Sequence, residues 1–348
     1  MHKATAVKRG ITAALLFTAC SVSAQSGTGF AIQELGNLVN DAIFFTDKYI
    51  TPATDAAVYQ AASSWMYTPK KSELWNFTLG IHANAFLVPE RDRKFTISNS
   101  NFSFFTIDGA ATATTPSAIG SDKYVNLSGM LDGKQVVLRS PEGINREVVV
   151  YPYIQGSLGL LYGTELVVKF APRTTLKTVE YQVYGFGLKH NISQYFKSLE
   201  QKKIHIAVLA AYSKEDISVN FLDVQTEYGS LGLNSLNSLI DTWQLQLNAS
   251  REFERLELSA GFIMNTSDFE YKVDGAKGTI EEIIPLQQIL NTKLKEIAKT
   301  KSNYIGEIAA RYQFNHFYIQ TSIAFGKFVN SNLSFQYEFK QKNKKQTI

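Results

Sequence analysis

The sequence has almost no cysteine, which limits the chemistry that this chain can perform. Its 348 residues contain one cysteine, Cys20, and only eight prolines. If Cys20 is removed with a cleaved leader, disulfides, thiolate nucleophiles and cysteine-based zinc sites are excluded. The five histidines are too widely spaced to form a metal-binding motif, so we expect no cofactor. They are His2, His82, His190, His205 and His316.

Apolar runs long enough for a membrane-spanning helix are absent as well. Such a helix needs roughly 18 to 20 apolar residues, and the run at residues 11–19 is much shorter. It follows a basic stretch and precedes Val22-Ser23-Ala24, which is the three-part pattern of a secretory signal peptide. We predict a signal peptide at residues 1–24. Lipidation of Cys20 is the alternative, although Phe17 stands where lipoprotein motifs carry an aliphatic residue.

The sequence lacks a positively charged body, despite a formal net charge of +4. Residues 1–24 contribute +3 and the tail at residues 340–348 contributes +4, so residues 25–339 carry −3. A nucleic-acid-binding surface is normally basic. We therefore expect no nucleic-acid partner.

What the sequence does contain is strict alternation of apolar and polar residues, clearest at residues 303–339. Side chains of a strand point to opposite faces with period two, so each alternating segment predicts a strand with one apolar face. A soluble sandwich and a membrane barrel both match this pattern. The connections favour a barrel, because they alternate between short and long along the chain.

The resulting fold prediction is an all-β, transmembrane antiparallel β-barrel of about twelve strands, with fourteen as the alternative. The barrel is expected at residues 74–339. The predicted strands are 74–87, 95–107, 134–140, 148–161, 164–171, 178–190, 203–212, 242–250, 256–264, 304–314, 317–325 and 332–339.

Helical spacing is confined to two regions. Residues 25–73 predict two small helices, 32–49 and 55–65, separated at Thr51-Pro52. They could pack as core helices, but we favour a plug inside the barrel. The other helical region is in an outer loop, where one helix is predicted from the capping box at residues 279–282 to about Lys299.

The polar faces of the strands are the candidate functional surface. They could simply hydrate the barrel interior, or they could line a route for a solute and set its selectivity. The candidate lumen-lining residues are His82, Asn84, Gln244, Gln246, Asn248, Glu257, Glu307, Arg311, Gln320, Gln336 and Glu338.

Conventional catalytic motifs are missing, including His-Glu-x-x-His, Gly-x-Ser-x-Gly and a phosphate loop. His190 and Ser193 are the only pair that suggests a barrel hydrolase, and no third catalytic partner accompanies them. We therefore predict a protein that is not an enzyme.

Several motifs resemble an uncharacterised family of bacterial outer-membrane barrels. They include Trp65-Met66-Tyr67, the stretch Phe86-Leu87-Val88-Pro89, and the glycine-rich stretches 153–166 and 184–191. The chain is more distantly similar to fatty-acid and toluene transporters of outer membranes, without their Asn-Pro-Ala motif. This resemblance implies passive uptake of small, hydrophobic molecules. The alternatives are a surface barrel for adhesion and the barrel hydrolase.

The last strand resembles the C-terminal insertion signal of outer-membrane barrels, although residues 340–348 follow it. The resemblance implies that the barrel-assembly machinery and outer-membrane lipid are partners, and that the protein lies in the outer membrane of a Gram-negative bacterium. The residues that carry the signal are Leu333, Phe335, Tyr337 and Phe339.

Overall fold

The computed structural model describes residues 26–131, 133–220, 225–226, 229–230, 232–276 and 285–339. The predicted signal peptide, Cys20, the capping box at 279–282 and the basic tail lie outside these residues. The described helices are α1 (Ser26–Ala62), α2 (Lys197–Gln201) and α3 (Leu286–Leu294). Short 3₁₀ turns occur at Glu90–Asp92, Asn99–Asn101, Leu161–Gly163, Ser193–Tyr195 and Lys295–Ile297.

Ten strands form one closed ring in the described part of the chain. Around the ring the order is β1, β17, β16, β15, β14, β13, β10, β9, β8, β7, and every neighbouring pair is antiparallel. The bounds are β1 Phe77–Leu87, β7 Val148–Gly159, β8 Thr164–Leu176, β9 Val179–Asn191, β10 Ile204–Asn220, β13 Ser235–Phe253, β14 Leu256–Asp274, β15 Thr300–Phe314, β16 Phe317–Phe325 and β17 Val329–Phe339. The all-β antiparallel barrel is confirmed.

The predicted strand number is wrong, because two predicted strands lie outside the ring. Residues 95–107 and 134–140 belong to the long connection between β1 and β7, which pair directly with each other. The strands that form within these segments pair locally, and each is shorter than the roughly 9 to 11 residues that span a membrane. The small strands are β2 Lys94–Ser98, β3 Thr106–Ile107, β4 Thr112–Pro116, β5 Asn126–Leu131, β6 Lys134–Arg139, β11 Gln225–Thr226 and β12 Gly229–Ser230.

The N-terminal segment forms one helix where two were predicted. Helix α1 continues through Pro52, although proline costs a helix interior about 3 kcal/mol. Ile50 and Ala53, on either side of Pro52, are both buried. Packing on both sides of the proline therefore keeps the helix continuous, and such packing is not visible in a local sequence pattern.

The outer surface of the ring is apolar, as the alternation predicted. Leu245, Ile308 and Phe335 are 53%, 50% and 58% exposed, so they do not meet in a soluble core. On β14 the outward residues are apolar from Leu256 to Met264 and become polar from Thr266 to Asp274. The belt of exposed apolar side chains thus ends part of the way up the longest strands.

The two ends of the barrel differ in their connections. We define the lower end by the connections at residues 160–163, 192–203, 254–255 and 315–316, and the upper end by the remaining ones, which include the short turns 177–178 and 326–328. The upper connections include residues 88–147 and 275–299, the second of which carries α3. The predicted outer-loop helix therefore exists, but its described part is limited to Leu286–Leu294.

The interior changes character along the barrel axis. Towards the upper end the inward residues of the long strands are apolar, for example Ile217, Ile240 and Phe269, and they pack with α1 in one core. Towards the lower end the inward residues are mostly amides, hydroxyls and charged groups. An apolar upper chamber therefore lies above a polar lower lumen.

Candidate functional site

The polar lumen is filled by residues 59–70, which we call the plug segment. This segment begins in the last turn of α1 and then continues in extended and turn conformations towards the lower end. Hydrogen bonds to its backbone come from several sides of the ring: Asn330 donates to Tyr59 O at 2.8 Å, Gln155 to Trp65 O at 3.0 Å, and Asn191 to Pro69 O at 2.7 Å. Part of the N-terminal segment thus occupies the interior of the ring.

Two charged groups hold the plug segment where α1 ends. Lys169 Nζ donates to Ala61 O at 3.1 Å and to Ser63 O at 2.7 Å. Ser64 N donates to Glu307 Oε2 at 2.6 Å. Carbonyl groups at a helix C-terminus carry a partial negative charge and attract cations. Lys169 therefore satisfies groups that α1 itself leaves without partners.

A third buried ionisable group, Glu215, lies near this level on β10. Its carboxylate accepts hydrogen bonds from Ser213 Oγ at 2.5 Å and from Thr242 Oγ1 at 2.9 Å. Buried charges are costly unless they are paired and hydrogen-bonded. Glu215 is hydrogen-bonded by hydroxyl groups of the barrel wall, whereas Lys169 is hydrogen-bonded to the plug segment.

The lower end of the plug segment is held by a second buried lysine. Lys189 Nζ donates to Thr68 O and Lys70 O at 3.0 and 3.1 Å, and it lies 2.5 Å from Glu165 Oε2. Below it a polar vestibule of about 220 Å³ opens, lined in part by Glu257 and Arg311. The lower mouth is therefore lined by charged and polar groups, whereas the upper chamber is apolar.

The candidate lumen-lining residues all face the interior, and all except the partly exposed Glu338 are buried. Gln244 donates to Gln246, and Gln246 donates to Glu307. Arg311 and Glu307 lie on one face of β15 but are not paired with each other. Arg311 instead donates to Gln336 at 2.9 Å, and Gln336 donates to Gln320 at 2.6 Å.

The remaining candidates also contact neighbouring strands or the plug segment. His82 lies against Asn332 at 3.0 Å and stacks on the rings of Tyr67 and Tyr153. Glu257 accepts a hydrogen bond from Thr68 at 2.7 Å, and Glu338 accepts one from Tyr318 at the same distance. Asn84 donates to Tyr151 OH at 3.3 Å, whereas Asn248 Oδ1 is buried without a hydrogen-bond partner in the described part.

Sequence reasoning missed the most tightly bound charges, Lys169, Lys189 and Glu215. Lys169 and Lys189 lie within the predicted strands 164–171 and 178–190, whereas Glu215 lies beyond the end of the predicted strand 203–212. A single charged residue within an apolar run, as in Val167-Val168-Lys169-Phe170, was the available signal. It identifies a residue that must find a partner inside the barrel.

The upper chamber contains an apolar cavity of about 530 Å³. This volume lies in the range of small-molecule binding sites, which are mostly apolar and measure about 300 to 1,000 Å³. The cavity is enclosed by α1, the β5–β6 hairpin, the upper ends of β9, β10, β13 and β14, and helix α3. Its apolar lining includes Leu38, Ala42, Ile43, Phe45, Phe105, Val136, Leu138, Val219, Leu233, Leu236, Val273, Leu290 and Leu294.

The rim of this cavity carries a small polar cluster. Glu142 accepts from Arg139 at 2.7 Å and from Lys177 at 2.9 Å, and Tyr49 OH donates to the Glu142 backbone oxygen at 2.8 Å. The hydrogen bond from Lys177 lowers the pKa of Glu142. Burial raises the pKa of Tyr49, so its hydroxyl stays protonated at neutral pH. These contacts tie the connection before β7 to α1.

The pair considered for a hydrolase is not assembled. His190 Nδ1 lies 3.0 Å from Thr164 Oγ1 and His190 Nε2 lies 3.1 Å from Tyr195 OH. Ser193 Oγ is hydrogen-bonded to Asn191. A nucleophile needs its base within hydrogen-bond reach, and the described contacts of both residues lead elsewhere.

The described residues contain no group of three or more His, Cys, Asp or Glu side chains that could hold a metal ion. None of the helices described is both long and apolar enough to cross a membrane.

Solved structures similar to this chain include the attachment invasion locus protein Ail of Yersinia pestis, at 7% identity, a TM-score of 0.25 and coverage of 77% of this chain and 100% of Ail. The outer-membrane channel DcaP of Acinetobacter baumannii matches at 10% identity and a TM-score of 0.22, covering 77% of this chain and 96% of DcaP. The toluene transporter TodX of Pseudomonas putida matches at 9% identity and a TM-score of 0.21, covering 81% and 92%. TM-scores this low do not establish a shared fold.

Sequence comparisons give a different result for curated proteins and for families. No curated protein matches the chain. A family model matches nearly its whole length. The chain belongs to this family of unknown function, DUF6588, whose model matches residues 1–339.

Proposed function

We propose that the protein is a plugged β-barrel of the Gram-negative outer membrane that takes up small apolar molecules. The exposed apolar belt supports membrane insertion, because a soluble protein rarely exposes a continuous apolar surface of this size. On β14 the belt covers the nine residues from 256 to 264. A strand of about this length, tilted by about 45°, spans the hydrocarbon layer of an outer membrane.

The connections support an orientation with the upper end outside the cell. Outer-membrane barrels have short periplasmic turns and longer outer loops, and the two longest connections here, residues 88–147 and 275–299, lie at the upper end. In this orientation the apolar cavity faces the medium and the charged vestibule faces the periplasm. Export by a cleaved signal peptide at residues 1–24 belongs to the same proposal.

The apolar cavity of about 530 Å³ is the observation that carries the proposed ligand class. A site lined mainly by leucine, valine, isoleucine and phenylalanine side chains binds apolar surface and has little to offer a sugar or an ion. The polar lumen below is filled by the plug segment. Uptake therefore begins with capture in the upper chamber and requires movement of the plug, unlike diffusion through an open porin.

The C-terminal strand is proposed to be the contact for the barrel-assembly machinery, with outer-membrane lipid as the surrounding partner. Its outward residues form the exposed row expected of such a signal, and Leu333, Phe335 and Phe339 are 45%, 58% and 49% exposed. Tyr337 and Phe339 pack ring against ring with centroids 4.5 Å apart. Aromatic girdles at the edge of the apolar band are typical of membrane barrels.

A cavity-filling substitution tests the proposed ligand class. We expect Ala42→Trp to abolish saturable binding of the apolar fluorophore N-phenyl-1-naphthylamine, because Ala42 lines the cavity and an indole there would occupy the space of a ligand. Binding is measured as fluorescence of the protein in lipid nanodiscs, with empty nanodiscs as the reference for partition into lipid. The same variant should lose uptake of the fluorophore by intact cells that express the protein.

The matched control is Ala83→Trp, which places the same indole on the outward face of β1. This variant should bind and take up the fluorophore as the parent protein does. Equal saturable binding by the Ala42→Trp and Ala83→Trp variants would contradict the proposed binding site. Absence of saturable binding by the parent protein would contradict the apolar ligand class.

A further inference from the structure

Lys169 and Glu307 contact the plug segment from opposite walls of the barrel, and we call these two residues the clamp. Lys169 lies on β8 and Glu307 on β15, and these strands are five positions apart in either direction around the ten-strand ring. Both side chains are buried, at 1% and 3% exposure. Both contact the stretch 61–64: Lys169 donates to the carbonyl oxygens of Ala61 and Ser63, and Glu307 accepts from the N–H of Ser64.

Each of the two side chains meets backbone groups of opposite partial charge. The carbonyl groups at the end of α1 face the cation, and the free N–H of Ser64 faces the carboxylate. Ser64 has a φ of 59°, a left-handed conformation that turns the chain out of the helix. Hydrogen bonds to charged groups are stronger than those between neutral groups, so this short stretch is firmly held.

Lys169 depends on the plug segment in a way that Lys189 does not. Lys189 lies directly across from Glu165 in the β8–β9 register and forms an ion pair of 2.5 Å with it. None of the described carboxylates lies within 4.0 Å of Lys169 Nζ, and two of its hydrogen-bond acceptors belong to the plug segment. The aromatic rings of Trp65 and Tyr153 complete its surroundings at 4.6 and 4.8 Å.

We propose that Lys169 and Glu307 are positioning residues that set the closed state of the plug, and that the opened lumen prefers cations. The proposal rests on the plugged-barrel function above. If the plug segment leaves this level, the described wall groups close to it include two acidic side chains, Glu307 and Glu215, and one basic side chain, Lys169. Rings of acidic side chains favour cations in membrane pores.

Conductance of the refolded full-length protein in planar lipid bilayers tests the clamp. Lys169→Met keeps an unbranched side chain but removes both hydrogen bonds to the plug segment. We expect its open probability to rise by about tenfold or more over the parent protein, a change equivalent to roughly 1.4 kcal/mol. The matched control is Lys214→Met on the outward side of β10, where the lysine faces Asp241 at 3.4 Å, and it should leave the open probability unchanged.

Ion selectivity separates this role from a general loosening of the barrel. In a potassium chloride gradient, the Lys169→Met pore should give the reversal potential of a cation-selective channel. Adding Glu307→Gln should reduce that selectivity, because the amide keeps an acceptor for Ser64 N but carries no charge. An anion-selective Lys169→Met pore, or an unchanged reversal potential in the double variant, would refute the selectivity part.

Failure of the clamp and failure of the proposed function give different results. Heat-dependent gel mobility reports whether each variant is folded. If Lys169→Met does not fold, Glu307→Gln alone replaces it. We expect Glu307→Gln to raise the open probability by a smaller factor. A folded but silent variant that still binds N-phenyl-1-naphthylamine would refute the clamp alone. Loss of saturable fluorophore binding in the parent protein would refute the ligand class and leave the conductance result to stand by itself.

Discussion

Replacing Leu245 by arginine is expected to lower the stability of the barrel in lipid by about 2 to 4 kcal/mol. Leu245 lies on the outward face of β13, in register with Ala210 on β10 and Met264 on β14, and it is 53% exposed. An arginine at the lipid-facing midplane of a β-barrel costs about 2 to 4 kcal/mol. Urea titration of folding into phospholipid vesicles, followed by gel mobility of unboiled samples, measures this loss.

The control for this prediction is a charge change on the same surface, above the apolar belt. Glu270 lies on the exposed, polar part of β14, and surface substitutions of this kind usually change stability by less than about 0.5 kcal/mol. Glu270→Arg should therefore fold like the parent protein. If both variants fold equally well in vesicles, the apolar belt does not face lipid and the membrane assignment is wrong.

Alternation allowed the strands to be predicted because it depends only on neighbouring residues. The register of Tyr312, Ile319 and Phe335 on consecutive strands follows from such local patterns and short turns. The closure of the ring does not follow from such local patterns. Residues 95–107 and 134–140 have strand-like sequences, but only the direct pairing of β1 with β7 shows that they lie outside the barrel.

The inward direction of the candidate site residues was predictable for the same reason, whereas their partners were not. Glu307 and Arg311 share a face of β15, which suggests a pair. In the structure, Glu307 accepts a hydrogen bond from Ser64 N, which is 243 residues away in the chain, and Arg311 donates one to Gln336. Contacts across a closed barrel depend on the path of the plug segment, and no local pattern specifies that path.

The apolar cavity could not be predicted from the sequence at all. Its walls come from α1, the β5–β6 hairpin, helix α3 and the upper ends of four strands. Each of these segments alone presents an ordinary apolar face, as in Leu290 and Leu294 of α3. The cavity exists because these faces do not fill the space between them, a property of packing that depends on the whole assembly.

A covalent link between plug and wall is expected to stop uptake. Ser64 Oγ and Ser322 Oγ lie 2.7 Å apart, with Ser64 in the plug segment and Ser322 on the inward face of β16. With residues 1–24 removed, the chain would contain no other cysteine, so the Ser64→Cys/Ser322→Cys double variant should form a single defined disulfide. Oxidation should reduce uptake of N-phenyl-1-naphthylamine by intact cells to the rate of cells that lack the protein.

The reversibility of the link makes this prediction specific to plug movement. Addition of a reductant should restore uptake in the double variant, and neither single variant should respond to oxidant or reductant. Binding to the upper cavity should persist in the oxidised protein, because Ser64 and Ser322 are not among the residues that line it. Undiminished uptake by a fully oxidised double variant would mean that the ligand passes without movement of residues 61–64, and the plug would then be a fixed part of the barrel.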